Sequence, residues 1–170
     1  MYKKRMVYLT IAASMVILLL LSGSATAAPK NRPPEPTEGI KSNDPLSASV
    51  DVIRDTRSGD VGAQVIYLIS RYGCSITNLG NGKVSIAGYT ETYNTVSLVS
   101  VTLYLQKWDG TKWVDITNQS FSGSSTNSIK GTKDITVTKG AYYRTRASHF
   151  AQNGSTTDST SSTSSYIYVE

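Results

Sequence analysis

Apolar and polar positions alternate most cleanly from Leu98 to Asn118, LVSVTLYLQKWDGTKWVDITN. Val99, Val101, Leu103 and Leu105 interleave with Ser100, Thr102, Tyr104 and Gln106, the period of two of a strand with one buried and one wetter face. Asp109-Gly110 interrupts the run, and Val114 and Ile116 resume it. Asp-Gly between alternating runs predicts a hairpin, because glycine supplies the positive φ of a tight turn. An even-length loop sets Val114 and Ile116 on the face of Leu103 and Leu105, and sets Trp108 and Trp113 together on the face of Tyr104.

The same punctuation recurs along the chain. Cys74 to Leu79 and Lys83 to Glu91 flank Gly80-Asn81-Gly82, a second hairpin signal, although the register of Val84 and Ile86 against Cys74 and Ile76 is left open. Tyr93-Asn94-Thr95 reads as the next turn. Asn118 to Gly131 reads as a polar loop with Phe121 and Ile129 tucked inward, followed by a short strand from Asp134 to Thr138. Lys139-Gly140 turns the chain into a strand from Ala141 to Gln152, and Asn153-Gly154 turns it into the last, which ends Tyr166-Ile167-Tyr168-Val169. About seven short strands without a sustained helical period predict an all-β sandwich or barrel over residues 64–170.

The start of the chain has another character. Lys3-Lys4-Arg5 precedes an apolar run from Met6 to Leu21 and the small residues Ala25-Thr26-Ala27, the pattern of an export signal cleaved after Ala27; an uncleaved membrane anchor is the alternative. Residues 28–63 hold all five prolines, three of them in Arg32-Pro33-Pro34-Glu35-Pro36, and too few apolar residues to offset chain entropy. They are expected to form a disordered, partly polyproline spacer, with Val50 to Ile53 its only ordering stretch. Val65 to Ile69 is a helical turn or the lead-in to the first strand.

Export narrows what Cys74 can do: as the only cysteine it has no partner within the chain. It is expected to be a buried thiol, with a bridge to another chain as the alternative. The net charge is +5 over 170 residues, and setting aside Lys3, Lys4 and Arg5 leaves +2. The basic residues are scattered, which argues against nucleic acid as a partner.

Thr132 to Ser155, TKDITVTKGAYYRTRASHFAQNGS, resembles the last three strands of fibronectin type III domains. The resemblance implies an immunoglobulin-like sandwich with Tyr143, Thr145 and Ala147 pointing inward and Arg144 and Arg146 outward; Ala141 stands where such domains usually have a tyrosine. Leu103 to Asp115 and Tyr142 to Asn153 also resemble small secreted proteins of Gram-positive bacteria that have no assigned function.

Candidate chemistry is sparse. Nucleophilic catalysis needs a nucleophile beside a base, and His149, the single histidine, falls on the inward parity with Ala147 as a core residue. The folded-domain acids, among them Asp109, Asp115, Asp134 and Asp158, form no recognisable pair. Neither a zinc nor a calcium pattern is present, so no cofactor or metal is expected. Gly80-x-Gly82-Lys83 precedes a strand rather than a helix and reads as a turn, not a phosphate loop. Ser155 to Ser165 lacks the apolar alternation of a membrane-inserting hairpin, which disfavours a pore-forming toxin and favours a polar edge strand.

The sharpest feature is Trp108 and Trp113 with Tyr104, flanked by Lys107 and Lys112. These five residues are the candidate binding surface, an aromatic platform for cell-wall glycan or a surface protein. A cross-strand pair that only stabilises the hairpin, or one covered by a neighbouring loop, is the alternative. The expected function is a secreted, non-enzymatic binding or structural module; a secreted hydrolase with an unrecognised site is the rival.

Overall fold

A computed structural model describes residues 32–54 and 67–170. The expected export signal, with Lys3, Lys4, Arg5 and the cut after Ala27, lies outside the described residues, as does the start of the Val65 to Ile69 lead-in. Seven strands form: β1 (Ser47–Ile53), β2 (Ile69–Gly80), β3 (Lys83–Trp108), β4 (Trp113–Thr136), β5 (Ala141–Asn153), β6 (Thr156–Thr163) and β7 (Ile167–Val169). They pair antiparallel in one sheet of order β1-β2-β3-β5-β6, with β4 also on β3 and β7 also on β5. The all-β class and the strand number match the expectation, and the single sheet curls into a half-barrel. Among the described residues, no helix is long and apolar enough to cross a membrane.

The curl originates in β3. Its pairing with β4 jumps from Glu91↔Ser128 to Val96↔Thr126, so four residues of β3 are spanned by one of β4. At this irregularity β3 changes neighbours, pairing with β2 up to Thr92 and with β5 from Leu98. Tyr93-Asn94-Thr95 is therefore a bend inside one long strand and not a chain reversal; extra residues on one strand raise the local twist instead of ending the ladder. The concave face then closes on itself. Ile76, Val84, Ile86, Val101, Leu103 and Leu105 are fully buried there, with Tyr143, Ala147 and Val169 from β5 and β7 in the same cluster. Burying each large side chain contributes about 1.5–3 kcal/mol. β2 lies over β5, where the Thr145 hydroxyl donates to the Ser75 carbonyl at 3.0 Å. Tyr143, Thr145 and Ala147 point inward and Arg144 and Arg146 are half-buried, as the alternation predicts.

Both hairpin turns form where glycine signals them. Asn81-Gly82 joins β2 to β3 with both residues at positive φ (52° and 71°), and Asp109 to Lys112 joins β3 to β4 with Gly110 at φ 107°. The Asp109 carboxylate accepts from the backbone N–H of Thr111 (2.8 Å) and Lys112 (2.9 Å), which holds its pKa below the usual aspartate value.

Three further expectations are corrected. Ile116 is skipped in the pairing, which steps from Gln106↔Asp115 to Leu105↔Thr117. This bulge takes Ile116 out of the ladder and leaves it exposed; Val114, opposite Lys107, keeps the expected face but is exposed past Leu105, and Thr117, Gln119 and Phe121 take the places opposite Leu105, Leu103 and Val101. Asn118 to Gly131 is not a loop: it is the middle of the 24-residue β4, with Phe121 and Ile129 packed against the core as expected. Part of the expected spacer is ordered as well. Ser47–Ile53 forms β1, paired with β2 from Ser47↔Thr77 to Ile53↔Arg71, because Ala48, Val50 and Val52 alternate and turn toward the sheet.

Candidate functional site

On the convex face of the sheet, Tyr104, Gln106 and Trp108 of β3 lie beside Trp113 and Asp115 of β4 and Arg146, Arg144 and Tyr142 of β5. A hydrogen-bonded ladder crosses these three strands. Arg144 Nε donates to Gln106 Oε1 (2.7 Å), Gln106 Nε2 donates to one oxygen of Asp115 (2.7 Å), and Arg146 donates to the other (2.9 Å). The guanidiniums also stack: Arg146 lies 4.1 Å from the Tyr104 ring centroid and Arg144 lies 4.3 Å from that of Trp113. Burial lowers the pKa of Arg144, and its planar group keeps its charge by pairing with a π face.

Five rings continue from there toward the end of the sheet. Trp108 and Trp113 pair across the hairpin with centroids 5.4 Å apart, Trp113 meets Tyr166 at 5.8 Å, Tyr166 meets Tyr142 at 5.7 Å, and Tyr142 meets Tyr168 at 5.0 Å. The tilted and edge-on geometries are those that aromatic quadrupoles favour.

This patch is not bare. The segment Arg32 to Lys41 runs over it. Arg32 sits 4.1 Å from the Tyr168 ring centroid, and Pro36 is buried between exposed neighbours. The Tyr166 hydroxyl donates to Glu35 (3.4 Å), and the Trp113 indole N–H donates to the Glu38 carbonyl (2.9 Å). Lys41 pairs with Glu35 at 2.7 Å, which lowers the Glu35 pKa and raises that of Lys41. Lys41 also bridges Tyr166 in parallel, with backbone bonds from Tyr166 N to Ile40 O and from Ser42 N to Tyr166 O.

The five predicted site residues therefore separate. Trp108 and Trp113 are brought together with Tyr104 on their face, as the hairpin predicts. Trp108, however, is only 3% exposed, so it offers no open platform. The cover is the Pro-rich segment and Tyr166, not the Asn118 to Gly131 stretch. Lys112 is exposed in the turn, away from the rings. Lys107 lines a groove of about 520 Å³ beyond the hairpin with Pro33, Trp108, Val114, Ile116 and Lys139. Sequence reasoning missed Tyr142, Tyr166, Tyr168 and the overlying arm. The alternation Tyr166-x-Tyr168 was a usable signal, but nothing local ties residues 32–41 to a surface over 60 positions away.

A second cluster lies inside the half-barrel. His149 Nδ1 is 2.9 Å from the Thr90 hydroxyl and Nε2 is 2.8 Å from that of Ser162, with the Tyr72 ring at 4.9 Å. His149 is fully buried and Ser162 is 6% exposed. Burial, with the Arg54 charge second, pushes the His149 pKa down to about 4. Cys74, buried in the same region, donates to the Thr145 carbonyl at 3.4 Å, and burial raises its pKa. A neutral imidazole with both nitrogens on hydroxyls satisfies core polar groups, and His149 has no exposed surface; Cys74, also buried, lines a groove of about 300 Å³ with Asp51, Arg71 and Tyr89. Among the described residues, no group of three His, Cys, Asp or Glu could hold a metal ion. No protein-family model matches the chain, and no curated protein matches it at significant similarity.

Proposed function

We propose that this chain is a secreted, non-enzymatic binding or structural module whose contact surface is the convex aromatic face of Trp113, Tyr166 and Tyr104 with Arg144 and Arg146. The observation that supports it most is the seat of the Arg32 to Lys41 segment: the face already holds a stretch of chain through the Trp113 indole N–H and the cation–π contact of Arg32 on Tyr168. Trp113 and Tyr104 are half-buried and Tyr166 is 5% exposed beneath the segment, so these rings become a full surface when the segment moves, and rings braced by arginine suit a sugar ring or a partner's side chains equally. The ligand classes are cell-wall glycan and a surface protein, in keeping with the resemblance to secreted proteins of Gram-positive bacteria. An immunoglobulin or fibronectin type III-like relationship is part of the same proposal, supported by the adjacency of β4, β3, β5 and β6 in antiparallel order.

The test is co-sedimentation of the purified protein with insoluble cell-wall and polysaccharide preparations, and surface capture by cell-surface protein extracts. Beside it runs a Trp113→Ala/Tyr166→Ala variant shown by circular dichroism to be folded. Binding by the parent and its loss in the variant is the expected result. Equal binding by both, or binding by neither to any preparation, would sink the proposed surface.

A further inference from the structure

We infer that the convex aromatic face is a receptor site for extended proline-rich polypeptide, and that residues 32–39 of this chain are its resident, displaceable occupant. The inference rests on the contact surface proposed above and narrows its ligand to a segment of the form Arg-Pro-Pro-x-Pro.

The first argument is the occupant's chemistry. Pro33, Pro34 and Pro36 fix φ near the polyproline II value, so the segment loses little conformational entropy on docking. Grooves that read such segments are lined by aromatic rings. Here Pro36 is buried within the segment whose flanking residues Glu35 and Glu38 contact Tyr166 and Trp113, and Pro33 lines the groove beside Trp108. The Trp113 indole donates to a carbonyl of the segment, and the leading arginine lies on Tyr168 and 3.6 Å from Glu170.

The second argument is how the segment is held. Among the described residues, its backbone joins the sheet at Ile40 to Ser42, through the two bonds with Tyr166. Residues 32–39 are held by side-chain contacts and by the Glu38 carbonyl, the kind of contact a separate peptide can reproduce. The third argument is a defect in the fit. The Trp108 indole N–H is buried and finds no acceptor among the described residues. An unsatisfied buried donor weakens the packing around it, and the resident segment uses one of the two indole donors of the pair, that of Trp113. A segment with a carbonyl within reach of Trp108 would bind more tightly.

Tethering gives the resident segment an effective concentration in the millimolar range, which weakens the binding of outside ligands to the intact chain by competition without closing the site. Gly39 provides a way to release the segment. Gly39 sits at φ +93°, and a Cβ there would lie 3.0 Å from Arg144 and 3.7 Å from Tyr166. A β-branched residue is a conformational outlier at such a φ, so Gly39→Val lifts the segment while leaving every ring in place.

The experiment titrates a fluorescein-labelled peptide RPPEPTEGIK, the sequence of residues 32–41, into the full-length parent, the Gly39→Val variant and a Pro33→Ser/Pro34→Ser/Pro36→Ser variant. Both tryptophans of the chain belong to the cluster, so acrylamide quenching reports directly whether the face has opened. The expected result is stronger quenching in both variants and peptide affinity at least tenfold above the parent. That affinity should be lost on adding Trp113→Ala and weakened at least tenfold when the peptide's prolines become alanines. An opened, folded variant that binds the peptide no better than the parent overturns the inference, as does binding indifferent to Trp113 or to the prolines. Unchanged quenching in both variants overturns the displaceable occupant. If polysaccharide sediments the protein through Trp113 while the opened face ignores the peptide, this inference falls and the proposed contact surface stands. If the peptide binds but the Trp113→Ala/Tyr166→Ala change leaves wall binding intact, the surface assignment falls by itself.

Discussion

At the scale of single residues, His149 shows how burial decides the role of a reactive group. Both of its nitrogens meet hydroxyls within 2.9 Å and no solvent reaches it, so charging it inside the fold would leave an unpaired cation. Its folded pKa is depressed to about 4, against the ordinary value of about 6.5 in an unfolded chain. The unfolded state therefore takes up its proton first as pH falls. The stability this group contributes is complete above pH 6.5, declines as pH falls, and is lost once pH has passed through 4. The difference amounts to about 3 kcal/mol. Because the chain has one histidine, urea unfolding at pH 7.0 and pH 5.0 should differ in the parent by a little over half of that amount, about 2 kcal/mol. The difference should nearly vanish in a His149→Gln variant. A parent whose stability is flat across this window would show that His149 is charged or hydrated in the fold.

At the scale of elements, legibility follows from where each strand buries its side chains. The limb of β3 from Leu98 to Gln106 has a dry face and a wet one, so its alternation was plain. β4 lies at an edge, pairing only with β3, and its middle is built of Ser, Thr, Gly and Asn. An edge strand kept polar discourages pairing with other chains, and the same polarity made it read as a loop. The bulge at Ile116 was hidden for a different reason. A skipped residue changes which face follows it without changing the apolar count, so Ile116 reads as core; Val114 keeps the expected face opposite Lys107 but lies past Leu105, the last buried position there. β1 was obscured by composition, its Ala48, Val50 and Val52 alternation lying in a proline-containing stretch. The candidate site was half legible. The Trp108–Trp113 pair follows from the hairpin, whereas its cover comes from tertiary contacts that leave no local pattern.

The polar β4 is nevertheless committed to the core at three points. Phe121, Ile129 and Ile135 pack on the main cluster, and the Phe121 ring occupies the space over Gly131, where a Cβ would fall 2.0–2.3 Å from ring atoms. Gly131→Ala should therefore expel the ring and cost about 1–3 kcal/mol, the usual range for overpacking. Phe121→Leu in the same chain should recover part of it, giving a non-additive cycle of the kind that contacting residues show. Additive losses in urea unfolding would mean that the ring does not cover Gly131.

At the scale of the whole molecule, a half-barrel needs something to hold its two ends together, and Asp158 supplies it. This carboxylate on β6 accepts from Arg54 Nη1 at 2.9–3.0 Å, just past the end of β1. It also accepts from the backbone N–H groups of Leu68 (3.0 Å) and Ile69 (2.9 Å), where β2 begins. With Arg54 and Asp158 side chains only 18% and 9% exposed, the pair is poorly screened, and two backbone donors depend on it as well. Asp158→Asn keeps the shape but loses the charge, and it turns one acceptor into a donor facing other donors. Breaking a buried pair costs about 3–5 kcal/mol, and partial exposure lowers that here to about 2–4. The loss should be unevenly distributed. Hydrogen exchange should accelerate first in β6 and β1, whose tie is severed, while the β3 and β5 ladder around Leu103 and Ala147 keeps its protection. Uniform acceleration would mean that the sheet opens as one unit, and unchanged stability would mean that the concave core alone holds the ends together.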